Sequence, residues 1–153
     1  MNWQTIFALT NGWALLGWVA LAILPRRPFV LSAILYLGVA LLCAIYAGLL
    51  VALLSGMIDG GGPRLTGTDL ANFDVKTLQR LFQSPGGVVV GWTHYLAFDL
   101  FVGLWIARDA DAKRIGRLVQ IPVLFLTLMA GPVGLLIWLF IRGRRWQRAT
   151  RPD

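Results

Sequence analysis

The sequence predicts an all-α integral membrane protein: a four-helix bundle with a short amphipathic helix in the long loop between helices two and three. Two observations predict this class. Of the 153 residues, 58% are hydrophobic and 14% are charged, whereas an ordinary soluble domain has about 25% charged residues. The charged residues also cluster between long apolar runs, which is typical of a polytopic helical membrane protein. We expect residues 1–153 to form a single membrane domain.

Four apolar runs are long enough to cross a bilayer as helices. They cover residues about 3–24, 29–54, 87–107 and 121–141. A loop of only four residues joins the first two runs, which predicts an antiparallel hairpin. Four full crossings place both termini on the same side of the membrane. The 14 basic residues are then divided six against eight between the two sides, so the positive-inside rule gives no orientation.

One long polar segment, about residues 55–85, separates the second and third runs. Leucine and phenylalanine recur in it at roughly helical spacing, and charged residues fill most of the other positions. We expect an amphipathic helix at about residues 69–83, lying on the membrane or capping the bundle. The alternative is a surface loop helix that has no function of its own.

The net charge of +7 comes from basic residues that flank the apolar runs. Contact with anionic lipid headgroups explains this placement, and no nucleic-acid-binding motif is present, so we predict no nucleic-acid partner. The chain has one cysteine and one histidine, and it has no cluster of carboxylates with metal-ligand spacing. We therefore predict no metal site. Phosphate loops, nucleotide fingerprints and serine elbows are also absent.

The third run contains two residues that are costly at membrane depth, His94 and Asp99. Such residues usually have a function or bond a neighbouring helix. Asn11 in the first run and Tyr46 in the second fall at a similar depth. Pro132, near the middle of the fourth run, leaves one helical carbonyl without its usual partner. We therefore expect a polar layer inside the bundle, in the half of the membrane that faces the long loop.

His94 and Asp99 are five positions apart, about 140° around a helix, so they address different neighbours or opposite walls of one pocket. In apolar surroundings an unpaired carboxyl favours its neutral acid form, and histidine favours neutral imidazole. These forms are a proton donor and a proton acceptor, which makes the two residues catalytic candidates. The candidate substrate-binding residues are Asn11, Tyr46, Trp92, Tyr95, Phe98 and Pro132. The alternative for each residue is a structural role in helix packing. A hydrogen bond between membrane helices contributes about 0.6 kcal/mol to stability on average, so such a role is modest but common.

Residues 91–106, Gly-Trp-Thr-His-Tyr-Leu-Ala-Phe-Asp-Leu-Phe-Val-Gly-Leu-Trp-Ile, resemble the signature of the abscisic-acid-deficient-4-like family. These are small polytopic membrane proteins related to the plant neoxanthin synthase. The resemblance spans nearly the whole chain. It extends to Asn11, Trp18, Pro25, Tyr46, Leu81-Phe82, Ser84-Pro85 and Gly131-Pro132 with the Val-Gly-Leu-Leu that follows.

The resemblance implies an action on a carotenoid or a related isoprenoid lipid. The plant relatives are linked to the conversion of violaxanthin to neoxanthin, in which an epoxide opens to give an allene and a hydroxyl. This isomerisation is redox-neutral, so it implies no electron-carrying cofactor. It requires an acid at the epoxide oxygen and a base for a carbon-bound proton. The layer of His94, Asp99, Asn11 and Tyr46 would then supply the acid and the base.

The sequence leaves two functions open. The first is a carotenoid isomerase-type enzyme. The second is a non-enzymatic membrane subunit that binds pigment or lipid, or assists a partner enzyme, through the amphipathic helix and the basic tail. The expected partners are membrane lipid, a carotenoid or isoprenoid ligand and, through glycines that allow close helix contact, a second copy of the chain. The compact chain is rich in Leu, Ala, Gly and Arg and shows no transit peptide, so we expect a bacterial inner (plasma) membrane.

Overall fold

The computed structural model describes residues 2–63, 71–72 and 74–149, with the backbone alone for residues 144–149. These residues form five helices and no strand: α1 Trp3–Ile23, α2 Pro28–Leu54, α3 Val75–Phe82, α4 Pro85–Ala112 and α5 Arg117–Ala149. Helices α1, α2, α4 and α5 are each long and apolar enough to cross a membrane. The predicted fold class, an all-helical membrane bundle, is confirmed.

Short polar side chains begin three of the helices. Asn2, Asp74 and Ser84 precede α1, α3 and α4, and each side-chain oxygen accepts a hydrogen bond from the backbone N–H three residues later. These caps satisfy donors that the first helical turn leaves free. The predicted amphipathic helix is confirmed for Val75–Phe82. Its predicted beginning at residue 69 lies outside the described residues, but the predicted continuity through position 74 is wrong, because the backbone of Asp74 is extended and this residue caps the helix that begins at Val75.

Helix α4 lies at the centre of the bundle. In the most apolar 18-residue stretch of α4, 56% of the residues are buried, whereas the corresponding share in the other long helices is at most 28%. Leu100 is fully buried and packs against Gly17 of α1 and Gly38 of α2. Trp18 of α1 covers Gly103 so closely that a Cβ there would collide with the indole ring. Glycines at these contacts let the surrounding helices approach α4.

Helix α5 is not one continuous rod. Ala130 leaves the helical conformation, with φ −153° and ψ 67°. Gly134 lies so close to Thr127 that a Cβ on the glycine would collide with the threonine backbone. In a straight helix these two residues would be about 10 Å apart. The chain therefore reverses at Ala130, and α5 is a re-entrant hairpin of two half-helices, residues 117–129 and 131–149.

Contacts with α4 show where each half-helix goes. Gln120 Nε2 donates to Asp111 Oδ1 at 3.1 Å. Trp138 Nε1 donates to Asp109 Oδ2 at 3.1 Å, and Arg142 Nε lies 3.0 Å from the same oxygen. In a straight helix, residues 120 and 142 would be about 33 Å apart, yet their partners are two residues apart on α4. The second half-helix therefore returns to the side on which α5 begins.

This path corrects the expectation that both termini lie on one side of the membrane. Helix α1 begins beside the long loop, whereas α5 ends at the opposite end, which we call the basic end. The apolar run of 21 residues is long enough for one full crossing. Two half-crossings need the same total length, so length alone does not distinguish the two paths. Among the described side chains, the basic end carries Arg26, Arg27, Arg108, Lys113, Arg114, Arg117 and Arg142. The long loop has only Arg64, Lys76 and Arg80 in its sequence, so the positive-inside rule predicts a cytoplasmic basic end.

A buried arginine joins the helices at the basic end. The Arg26 side chain is 4% exposed; it pairs with Asp111 at 2.9 Å and donates to Gln120 Oε1 and to Ala107 O. Burial lowers the pKa of the Arg26 guanidinium, and the nearby Asp111 carboxylate opposes that shift. Because these partners belong to α4 and α5, Arg26 fixes the first loop against the re-entrant hairpin.

Candidate functional site

The residues of the predicted polar layer lie on two different faces of α4. One group, which we call the tip site, surrounds the tip of the re-entrant hairpin and consists of Asn11, Trp92, Tyr95, Asp99, Gly131 and Pro132. The other group, which we call the outer stripe, consists of Tyr46, His94 and Phe98. The sequence predicts that these residues form one polar layer, whereas the fold divides them between two separate surfaces.

Asp99 lies at the middle of α4 and is 7% exposed. Its carboxyl faces the backbone of Gly131, where a Cβ would collide with Oδ1 and lie 2.8 Å from Cγ. Its Oδ2 atom is buried and has no hydrogen-bond partner among the described residues. A buried polar atom without a partner is costly in an apolar interior. This oxygen therefore marks a place where a polar atom of a ligand would be stabilised.

The hydroxyl of Tyr95 bridges the break in α5. It donates to Met129 O at 3.5 Å and accepts from the Gly131 N–H at 3.4 Å, both long contacts. The same hydroxyl lies beside the Asp99 carboxyl, one helical turn along α4. Backbone groups freed within a membrane need such partners. The sequence predicts that Pro132, inside a continuous helix, leaves the carbonyl of Leu128 without a partner. The structure breaks the helix at Ala130 instead, and the carbonyl that the Tyr95 hydroxyl contacts is that of Met129.

Two half-helix ends meet at the tip site. The first half-helix ends at Met129, and the second begins at Gly131. The last carbonyls of the first and the first N–H groups of the second have no partners within a helix. Pro132, which has no N–H, occupies the first turn of the second half-helix, where the missing donor costs little. Its side chain is exposed. The N-terminal end of a helix favours negative charge and electron-rich oxygen. The arrangement is therefore suited to a carboxylate or to an oxygen that gains charge during a reaction.

An aromatic ledge leads from the lipid-facing surface to the Tyr95 hydroxyl. The rings of Trp92 and Tyr95 stack with centroids 5.4 Å apart, and Phe7 lies 5.8 Å from Trp92. Asn11 fixes the ledge, because its Oδ1 accepts from Trp92 Nε1 at 3.0 Å while its Nδ2 donates to Phe7 O at 2.7 Å. The Trp92 side chain is 41% exposed. The ledge therefore ends at Tyr95, whose hydroxyl lies at the hairpin tip.

The outer stripe has a different environment. The imidazole of His94 stacks on Phe98 at 4.6 Å and lies 5.1 Å from the Tyr46 ring. His94 and Phe98 are exposed, and Tyr46 is partly buried. As the five-residue spacing predicts, His94 and Asp99 address different neighbours, so one reacting centre does not touch both side chains in this conformation.

The sequence does not predict one further buried polar group near Asp99. The Nε1 atom of Trp18 is buried without a hydrogen-bond partner among the described residues. The Trp18 ring packs on Gly103, one helical turn from Asp99. The apolar surroundings of Trp18 in the sequence carry no signal for this, because its unpaired state depends on how α1 crosses α4. The described residues contain no group of three or more His, Cys, Asp or Glu side chains placed to hold a metal ion.

Comparison with protein families gives a match that covers most of the chain. No curated protein and no solved structure matches the chain. The profile of the ABA4-like family, described as ABA DEFICIENT 4-like, matches residues 5–138. This range includes the aromatic ledge, the central helix and the tip of the re-entrant hairpin. The chain therefore belongs to the ABA DEFICIENT 4-like family.

Proposed function

We propose that the protein isomerises a carotenoid-like isoprenoid lipid inside the bilayer, without net oxidation or reduction, and that the reaction takes place at the tip site. The observation that carries this proposal is the Asp99 carboxyl, which is buried at the middle of α4 and has one unpartnered oxygen. Membership of the ABA DEFICIENT 4-like family supports the proposal, and so does the lipid-facing aromatic ledge beside the carboxyl.

The proposed chemistry is the opening of an epoxide to an allene and a hydroxyl. The Tyr95 hydroxyl donates its proton to the epoxide oxygen as the carbon–oxygen bond breaks. The Asp99 carboxylate accepts a carbon-bound proton, and the electron pair of that carbon–hydrogen bond forms the new double bond. Because the two side chains are adjacent, the proton then passes from Asp99 to Tyr95 and restores both groups. Product and substrate are isomers, so the reaction consumes no electrons.

The surroundings of Asp99 suit this role. The positive end of the second half-helix stabilises the carboxylate and the charge that develops on the epoxide oxygen. Asn11 fixes Trp92, and the ledge holds a flat polyene against Tyr95. His94 remains a catalytic candidate from the sequence. Because His94 lies on the outer stripe beside Tyr46 and Phe98, it would contact a different part of a long ligand than the reacting carbons.

The test is a pigment assay in a host that makes an epoxidised carotenoid. Extracts are compared at equal protein level for the wild type and for Asp99→Asn, Tyr95→Phe and His94→Ala, with Gly12→Ala as control because a Cβ there has nothing within 4 Å. General acid–base catalysis contributes about 10²- to 10⁴-fold. We expect losses of that order for the first two variants, and a smaller loss for His94→Ala. Undiminished product from Asp99→Asn would reject the proposed chemistry.

A non-enzymatic function has one observation in its favour. Helix α3 leaves apolar side chains exposed, with Val75 at 71% and Phe82 at 50%, and these suit a membrane surface or a partner protein. In that case, Leu81→Ser with Phe82→Ser, or deletion of the residues after 141, abolishes partner co-purification while the bundle still inserts. Product formation that depends on Asp99 in the purified protein alone would exclude a purely assisting role.

A further inference from the structure

An apolar groove lies between α1 and the first part of α2, on a different face of the bundle from the tip site. Its volume is about 260 Å³. Small residues on both helices create it, with Gly17 and Ala20 on α1 facing Ala33 and Gly38 on α2. Leu100 closes it from behind, since a Cβ at Gly17 would lie 2.8 Å from its Cδ2 atom. The groove is therefore a blind depression that opens toward lipid.

The length of the groove matches one leaflet of the membrane. It runs from Trp13, the middle residue of α1, to Leu24 at the end of that helix. Eleven residues of helix span about 16 Å, and half of the hydrocarbon core is about 15 Å thick. At its inner end, Trp13 Nε1 donates to Leu37 O at 2.7 Å, within the π-helical segment Ile34–Ala40. This bond ties the two walls together near the membrane centre.

Two cationic side chains flank the open end of the groove. Arg27 is exposed and directly precedes Pro28-Phe29, where Phe29 lines the groove. Arg117 is also exposed, and its guanidinium donates to Leu24 O at 3.0 Å and to Ile23 O at 3.4 Å. A guanidinium has five N–H donors, so most of the donors of Arg117 stay available. The mouth of an otherwise apolar groove is therefore positively charged.

We propose that this groove binds one acyl chain of an anionic phospholipid from the leaflet at the basic end, with the headgroup phosphate held by Arg27 and Arg117. The chain fills the apolar depression as far as Trp13, and the phosphate lies at the depth of the headgroups. The length and apolar lining of the groove account for the chain. The two arginines account for the preference for an anionic headgroup, because each basic residue near a membrane surface favours anionic lipid.

The test measures which lipids stay bound after mild extraction. The full chain is reconstituted in vesicles of equal parts phosphatidylglycerol and phosphatidylcholine, extracted in detergent and examined by native mass spectrometry. We expect retained phosphatidylglycerol to exceed phosphatidylcholine. Arg27→Gln and Arg117→Gln should each reduce that preference by about fivefold. Arg114→Gln is the matched control for the loss of one positive charge, because Arg114 is exposed at the same end, and it should reduce the preference less than either of the other two substitutions.

Filling the groove tests the position of the chain. Ala20→Leu combined with Ala33→Leu should reduce retained lipid by about tenfold, whereas Gly12→Leu on the outer surface of α1 should leave it unchanged. Equal retention by the filled variant would overturn the proposal, as would a preference that persists without both arginines. A dimer that dissociates when the groove is filled would show that a second copy occupies it, and would also overturn the proposal. Asp99→Asn should leave lipid retention unchanged, so this result is independent of the proposed reaction.

Discussion

Substitution of Gly131 by alanine tests whether the carboxyl of Asp99 lies against the hairpin tip. A Cβ at this position would lie 2.8 Å from Asp99 Cγ and 3.1 Å from Oδ2, and closer still to Oδ1. These distances are shorter than normal packing allows, so the carboxyl or the tip must move. Overpacking of a tight interior costs about 1–3 kcal/mol. We expect Gly131→Ala to lower the free energy of unfolding by that amount.

Gly12→Ala is the matched control for this substitution. A Cβ at Gly12 meets nothing within 4 Å, and alanine is favoured over glycine inside a helix by up to about 1 kcal/mol. The control should therefore be neutral or slightly stabilising. The unfolding free energies are measured by titrating sodium dodecyl sulfate into mixed micelles and following the loss of helical circular dichroism.

The same substitution in an Asp99→Ala background identifies the collision partner. Without the carboxyl, alanine at position 131 fits, and most of the destabilisation should disappear. The coupling energy between positions 99 and 131 should be about 0.5–3 kcal/mol, the range for residues in contact. Equal costs in both backgrounds, or a Gly131→Ala variant as stable as the control, would refute the position assigned to Asp99.

Three further predictions follow from single contacts. Asp109→Ala removes a carboxylate that accepts hydrogen bonds from Lys113 and Trp138 and forms an ion pair with Arg142. The unfolding free energy should fall by about 2 kcal/mol, and an unchanged value would contradict the described return of α5. Trp13→Phe loses the bond to Leu37 O, so amide exchange in the Ile34–Ala40 segment should accelerate, and unaltered exchange would contradict the bond. The N-cap hydrogen bond from Thr77 lowers the pKa of Asp74. The stabilisation of α3 is therefore present at neutral pH and lost as the pH falls through the pKa of the folded state. Amide exchange in α3, corrected for the intrinsic effect of pH, should accelerate over this range in the wild type. Asp74→Asn has no carboxyl to titrate, so its exchange should show no such change, and equal behaviour of the two proteins would contradict the cap.

Much of the fold is predictable because it depends on local chemistry. The apolar runs fix the long helices, and the amphipathic spacing before Ser84 fixes α3. The depth of the polar residues is also local, since it depends only on counting residues from a helix end. Asn11 and Trp92, which count to the same depth in α1 and α4, form a hydrogen bond.

The reversal of α5 depends on contacts that a run of apolar residues does not record. Gly131-Pro132 near the middle of the run indicates a break in the helix. The same two residues would stand at the kink of a helix that crosses the membrane fully and at the tip of a hairpin that turns back. The contacts that distinguish them are the pairing of Asp109 with Arg142 and the close approach of Gly134, which has no Cβ, to Thr127. The division of His94 from Asp99 follows from the same cause, because α5 covers only one face of α4.

The side of the membrane reached by residue 143 tests the re-entrant hairpin most directly. In a Cys43→Ala background, which has no other cysteine, single cysteines replace Arg27, Lys76 and Gly143, and each is labelled with a membrane-impermeant maleimide in sealed vesicles of known orientation. A Cβ at Gly143 meets nothing within 4 Å, so this substitution is tolerated. We expect the cysteine at 143 to be labelled from the same side as the cysteine at 27. Labelling from the side of the cysteine at 76 would show that α5 crosses the membrane completely and would contradict the hairpin.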